Sequence, residues 1–298
     1  MRKNLLLLVT LVIATSASAQ FYVSASGGLS MGSAGILMGT SLNDTQTEAE
    51  NHYGSYGEGL NAQFKTGYFF NDTFGLELGL GYLHGSDQNI SSFKVNDAGA
   101  IAEYTEGIAR GRAYGLNLSL VYNFNENIYG SFGAITKVGG KTEAIFTKTT
   151  QTPLSAAGIA PIIAKGEADY NGRIPLGFTA SLGYKYKLTD NLNLFAELEY
   201  LGINVTRDRS TFTDLAITTP EIPAGVVGPS AVPSMTWNLG DAPLNHPVFG
   251  IIAAPSETTY VDTLANPNTD PSKALSTVVP YSSFGINFGI TYTFSKKK

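Results

Sequence analysis

The sequence predicts an all-β fold: an eight-stranded antiparallel up-and-down β-barrel that crosses a membrane and carries long loops at one end. Three observations predict it. From Phe284 to Phe294, large apolar residues (Phe284, Ile286, Phe288, Ile290, Tyr292, Phe294) alternate with small or polar ones (Gly285, Asn287, Gly289, Thr291, Thr293). Successive side chains of a strand point to opposite faces, so one face suits lipid and the other suits water or a polar interior. The segment also has the length of a membrane-spanning strand, ~9–11 residues. The second observation is that the same alternation recurs in three hairpins joined by tight turns rich in Asn and Asp. The third is an export segment at the N-terminus.

That segment comes first in the chain. Arg2 and Lys3 form a charged start, Leu5 to Ala14 an apolar run, and Ala17-Ser18-Ala19 a cleavage site. Residues 1–19 are therefore expected to be a signal peptide, with Gln20 opening a single barrel domain over residues 20–298. A first strand follows at about Phe21 to Leu29, with Phe21, Val23, Ala25, Gly27 and Leu29 outward. The first hairpin runs Leu60 to Phe70, turns at Asn71-Asp72-Thr73 and returns from Phe74 to Tyr82. The second runs Tyr114 to Phe124, turns at Asn125-Glu126-Asn127 and returns from Ile128 to Val138. The third runs Ile174 to Leu188, turns at Thr189-Asp190-Asn191 and returns from Leu192 to Tyr200. Asn and Asp suit such turns because they bond their own backbone and tolerate left-handed conformations. With the first and last strands the count is eight. The remaining connections are long: about residues 30–59, 83–113, 139–173 and 201–283. Short periplasmic turns against long extracellular loops are the asymmetry of bacterial membrane barrels, which places both termini in the periplasm.

Composition agrees. Only 14% of residues are charged, and the chain holds 33 Gly, 16 Tyr and 16 Phe. Strands that bury alternate residues leave a weak hydropathy signal. No apolar run reaches the ~18 residues that mark a membrane-spanning helix. There is no Cys, hence no disulfide framework and no thiol chemistry. Loss of Arg2 and Lys3 would make the formal net charge of −5 two units more negative, which argues against a nucleic-acid partner.

On its signal, its three Asn/Asp-turned hairpins and its aromatic-terminated last strand, the chain resembles the small eight-stranded outer-membrane barrels, the OmpA/OmpX-like class. The resemblance covers the strands and leaves the loops aside. It implies a monomeric, porin-like architecture in the outer membrane of a Gram-negative bacterium, in contact with lipid and lipopolysaccharide. Two departures stand out. Phe294 is followed by Ser-Lys-Lys-Lys instead of ending the chain, and no peptidoglycan-binding domain is expected.

The polar parity of the strands carries Lys65, Glu77, Lys137, Lys185, Glu197 and Glu199. If each turn centres its hairpin, Glu77 faces Gly67 with Lys65 diagonal to it, and Glu197 faces Gly183 with Lys185 diagonal to it. Diagonal neighbours lie within reach of long side chains. These charges read as a salt-bridge network filling a narrow lumen, because eight strands enclose little more than their own side chains. The competing reading is a charged constriction that selects ions.

Every Arg after the signal (Arg110, Arg112, Arg173, Arg207, Arg209) falls where a strand meets a long connection. Guanidinium groups bind phosphate oxygens in a bidentate way, so contact with lipopolysaccharide is one reading. Pairing with nearby carboxylates such as Asp208, Asp169 or Glu106 is the other. His84, Ser86 and Asp87 share a strand end and would form a catalytic triad only if loop folding turned them together. No His pair with metal spacing occurs. Residues Asn266 to Asp270 alternate oxygen ligands but lack the Gly and terminal Glu of a calcium loop. No cofactor and no metal are expected.

The last connection is the longest. It holds ten of the 13 prolines and the single Trp, Trp237, beside apolar residues such as Ile222, Val226 and Ile251. It reads either as a docking surface for a surface protein or glycan with Trp237 as anchor, or as loops packed on one another. The sequence thus predicts a non-enzymatic barrel with a structural or cell-surface interaction role. A small-solute channel is the first rival, and a rim-active hydrolase or acyltransferase the second.

Overall fold

The structure, a computed structural model, describes residues 20–294 apart from residues 34, 44, 97 and 98. The predicted signal peptide and the lysine tail lie outside the described residues. Eight strands form a closed barrel: β1 (Gln20–Gly32), β2 (Gly59–Phe69), β3 (Phe74–Gly85), β4 (Ile101–Asn123), β5 (Ile128–Thr150), β6 (Gly177–Lys187), β7 (Leu192–Gly202) and β8 (Ser283–Thr293). Each pairs antiparallel with its sequence neighbours, and β8 closes on β1 from Tyr22↔Thr293 to Gly32↔Ser283. Closure satisfies every ladder in the apolar region, as a lipid environment requires.

The three tight turns follow one design. In the first, Asn71 Oδ1 accepts from the backbone N–H groups of Thr73 and Phe74 at 2.9 and 2.8 Å. Asn125 does the same for Asn127 and Ile128 at 2.9 and 2.8 Å, and the Thr189 hydroxyl for Asn191 and Leu192 at 3.3 and 3.1 Å. These turns fix the registers, so Gly67 faces Glu77 and Gly183 faces Glu197.

Outward rows are apolar and exposed to the surroundings of the protein, as with Leu78, Leu118, Leu182 and Ile290. Aromatic rings mark both rims. Phe21–Phe294 and Phe74–Tyr122 stand at the tight-turn end, at 5.4 and 5.1 Å between centroids. Tyr82–Tyr114 and Tyr200–Phe284 stand at the other, at 5.0 and 4.8 Å. Two girdles flanking an apolar band are what a bilayer imposes on a barrel.

The long connections differ from the expectation. Much of residues 83–113 and 139–173, and the start of 201–283, is strand rather than loop. β4 and β5 each run 23 residues and stay paired from Asn123↔Tyr129 up to Glu103↔Thr150. Above the upper girdle, β5 leaves β6 and pairs instead with a strand at Ile162–Gly172, which pairs with another at Asn204–Thr218. These two strands continue the β6–β7 hairpin upward, interrupted at Arg173–Leu176 and at Ile203.

A bulge marks the boundary. Tyr114 pairs with Gly139 and Gly115 with Lys137, which leaves Val138 as the extra residue. Bulges change which residues face inward. Below it Ser131, Ile135 and Lys137 face the lumen; above it Thr142 and Ala144 do. Gly140 sits at φ +89° in this bend, where a Cβ would run into the Arg112 carbonyl.

The rest of the last connection lies along the extended sheet. Thr236–Asn238, Glu257–Val261 and Val278–Pro280 each pair with the Asn204–Thr218 strand. The apolar core sits at the mouth: Tyr56, Ala109, Ala113, Ala144, Ile203, Val205 and Tyr281 are buried together, with Met38, Ile90 and Val279 packed on them.

Candidate functional site: the lumen and its mouth

The lumen is crossed by a layer of buried charge. Lys65 Nζ donates to Glu197 Oε1 at 2.8 Å and stands 3.8 Å from Glu77 Oε1. Glu199 accepts from Gln63 Nε2 at 2.6 Å and from Asn287 Nδ2 at 3.0 Å. Lys65, Glu77, Glu197 and Glu199 are all buried, and Asn287 is 0% exposed.

Two tyrosines complete the layer. Tyr22 donates to Glu77 at 2.7 Å and Tyr129 donates to Glu197 at 2.9 Å. The register explains both. Tyr22, Gly67 and Glu77 lie in one row across β1, β2 and β3; Tyr129, Gly183 and Glu197 lie in the matching row across β5, β6 and β7. A Cβ at Gly67 would run into the Tyr22 ring, and one at Gly183 into the Tyr129 ring. The glycines opposite the carboxylates therefore house tyrosine rings that bring a donor to each. Sequence reasoning missed Tyr22 and Tyr129. The available signal was that both sit on the polar parity, where aromatic residues are out of pattern.

The structure does not join the other two lysines to this layer by ion pairs. Lys185 Nζ lies over the rings of Tyr129 and Phe69, 4.5 and 5.2 Å from their centroids, and donates to Asn123 Oδ1 at 3.2 Å. An ammonium over an aromatic face is attracted by the ring quadrupole. Lys137 stands higher, donating to the Gly140 carbonyl at 3.1 Å.

Below the layer is a cavity of about 40 Å³ bordered by Tyr22, Lys65 and Lys185. Above it is one of about 90 Å³, bordered by Gln63, Glu199 and Lys137. Two inward-folded segments roof the upper cavity. Tyr56 N–H donates to the Pro280 carbonyl and Tyr281 N–H to the Ile203 carbonyl, both at 3.0 Å. The two rings lie 5.7 Å apart, and the Tyr281 and Thr142 hydroxyls share a hydrogen bond of 2.6 Å. Burial pushes the Tyr281 phenol up to about 12.

The rim arginines have partners within the chain. Arg110 reaches Glu143 at 3.0 Å and Asp87 at 3.6 Å; Arg112 reaches Glu143 at 3.7 Å and donates to the Gly85 carbonyl at 2.7 Å. Arg173 meets Asp262 at 2.9 Å and Asp208 at 3.8 Å, and Arg209 meets Glu257 at 3.7 Å. Arg207 stacks 4.7 Å above the Tyr170 ring. Lys141, which sequence reasoning passed over, bridges Asp169 at 2.8 Å and Glu143 at 3.3 Å. Burial works against the Glu143 charge, yet hydrogen bonds from Arg110 and Lys141 hold its carboxyl below the usual glutamate range.

His84 contacts the Tyr82 hydroxyl at 3.4 Å while Asp87 turns to Arg110, so the structure does not assemble these residues as a triad. Trp237 is 3% exposed; its strand pairs with Ala216–Thr218 and its indole N–H donates to the Asp241 carbonyl at 3.3 Å. It is a packed residue of the folded connection and offers no exposed face to a partner.

A closed, eight-stranded antiparallel barrel with an apolar exterior, two aromatic girdles and a polar lumen is an outer-membrane barrel. Residues 5–227 match the family described as outer membrane protein beta-barrel domain, and the chain belongs to that family. The protein is therefore one of the bacterial outer membrane, with its tight turns periplasmic and its mouth outside. No curated protein matches the sequence. Among solved structures it is similar to Neisserial surface protein A (NspA), at 12% identity and a TM-score of 0.33, over 93% of this chain and 99% of that one. It is also similar to a major outer membrane protein from Thermus thermophilus, at 13% identity and a TM-score of 0.37, over 93% and 99% of the two chains. OprG from Pseudomonas aeruginosa is similar at 11% identity and a TM-score of 0.35, over 94% and 97%.

Proposed function

We propose that the protein is a closed barrel whose role is structural and surface-directed: it anchors a folded extracellular sheet in the outer membrane. The observation that carries this reading is the buried layer of Lys65, Glu77, Glu197 and Glu199 across the lumen, with Tyr56 and Tyr281 folded over the mouth. A selective pore needs charged side chains that face a water path. These are bonded to one another and to Tyr22, Tyr129, Gln63 and Asn287.

The arginines at the rim support the same reading. Arg110, Arg112, Arg173 and Arg209 are committed to carboxylates, which favours a role in holding the extended sheet together over a role in binding lipopolysaccharide phosphates. A surface partner, protein or glycan, would meet other parts of the last connection than Trp237, such as Ile251, which is 72% exposed.

Planar-bilayer recording tests the closed lumen. The purified full chain should show no stable, large conductance. A reproducible conductance whose ion selectivity reverses on Glu77→Lys would replace this reading with the channel.

A further inference from the structure

The upper cavity has features that a mere packing gap does not require. Its wall is largely apolar: Leu83, Ile135, Leu201, Ile203 and Val205 border it. Its volume of about 90 Å³ is several times the roughly 10–15 Å³ that holds one water. Polar side chains, among them Asn61, Asn117 and Thr136, border it as well.

Its upper end is cationic. Lys137, Val205 and Tyr281 border both this cavity and a small gap above it of about 10 Å³, where Arg207, Thr142 and Tyr56 join them. Among the described residues, neither Lys137 nor Arg207 has a carboxylate within ion-pair distance, unlike the four other arginines. Lys137 Nζ has the Gly140 carbonyl at 3.1 Å and the Tyr281 ring centroid at 5.7 Å; the Arg207 guanidinium has the Tyr170 ring. Partly buried cations left with neutral partners favour the arrival of an anion, whose charge-assisted hydrogen bonds are about twice as strong as neutral ones. The floor of the cavity is Glu199, whose bonds to Gln63 and Asn287 are already made, so an anionic group is directed to the upper end.

We propose that this chamber is a binding site for a small apolar molecule carrying one anionic group, with its tail among Leu83, Ile135 and Leu201 and its head at Lys137 and Arg207. Entry is from outside, by lifting the Ser55–Gly57 turn and the segment Pro280–Ser282, which are held to the wall by backbone bonds at Tyr56 and Tyr281.

Calorimetric titration of the full chain in zwitterionic lipid nanodiscs, with hexanoate and with 1-hexanol as probes, tests this. The expected result is saturable binding of one hexanoate per chain, with 1-hexanol weaker by about tenfold or more, the effect of losing a charged hydrogen bond. Lys137→Met should weaken hexanoate by a similar factor, and Ala113→Phe, which fills the chamber, should abolish binding. Heat-modifiable migration confirms that each variant is folded. Absence of saturable binding to the unaltered chain overturns the proposal, and so does equal affinity for the two probes. If the variants fail to fold, the comparison of the two probes on the unaltered chain decides alone. Neither outcome depends on whether the barrel conducts.

Discussion

β4 and β5 pass through two environments, and their two halves are built on opposite rules. In the membrane, Leu116, Leu118 and Leu120 point outward while Asn117 and Ser119 point in. Above the Val138 bulge, small residues (Ala109, Ala113, Ala144) and Thr142 point inward, and a belt of charge (Arg110, Arg112, Lys141, Glu143) points outward beside Ile145. The same paired strands change from apolar-out to charged-out within a few residues. The pattern of a strand therefore reports its surroundings rather than its strandedness. Lipid selects the first arrangement and water the second.

The two halves should respond differently to the same insult. The largest effect is expected in the lower lumen. Lys65→Ala leaves Glu77 and Glu197 buried without their cation, and breaking a buried pair in this way costs ~3–5 kcal/mol. Denaturant unfolding of the refolded barrel checks this; a loss under ~1 kcal/mol would mean that the tyrosine and amide donors alone sustain the layer. Next comes the outer wall. Leu118→Arg, on the lipid face, should cost ~2–4 kcal/mol near the midplane. Ile145→Arg, outward on the extended half of β5, should stay within ~0.5 kcal/mol, as surface changes do. Equal costs would erase the distinction between the halves.

The smallest effect belongs to the charged belt. Glu143→Gln should cost ~1 kcal/mol or less, because the pairs with Arg110 and Lys141 are partly in water. The pH dependence has a fixed sign. The folded-state carboxyl of Glu143 lies below its unfolded value, so its contribution is complete above the ordinary glutamate range. It is lost as pH falls through the lowered folded value. The difference between the unaltered chain and Glu143→Gln should therefore shrink on acidification and not on alkalinisation.

The lower half is legible in the sequence for physical reasons. A bilayer demands large apolar residues at every second position. Tight turns demand Asn, Asp or Thr at Asn71, Asn125 and Thr189, and such turns fix register. From that register the row Gly67–Glu77 follows. What does not follow is what fills the space beside a glycine. Tyr22 and Tyr129 bond to Glu77 and Glu197 through rows that span three strands, and sequence spacing within one hairpin cannot show them. The upper half is hidden for a different reason. Reading Ala109, Ala144 and Ala168 as an inward face requires knowing that water, not lipid, lies outside. An alternation sought as apolar-out sees only a polar loop there. Trp237 is misleading in a similar way: a lone aromatic residue in a proline-rich connection looks available until its pairing with the Asn204–Thr218 strand is seen.

The reversal along β5 can be measured directly, because the chain has no Cys and each introduced thiol is the only one present. Single cysteines at residues 132, 134, 142, 143, 144 and 145, treated in lipid vesicles with a lipid-soluble and with a water-soluble maleimide, should fall into three sets. Positions 132 and 134 should react with the lipid-soluble reagent, positions 143 and 145 with the water-soluble one, and positions 142 and 144 with neither. A single alternation continuing unbroken through residue 138, with even positions reactive from 132 to 144, would contradict the account.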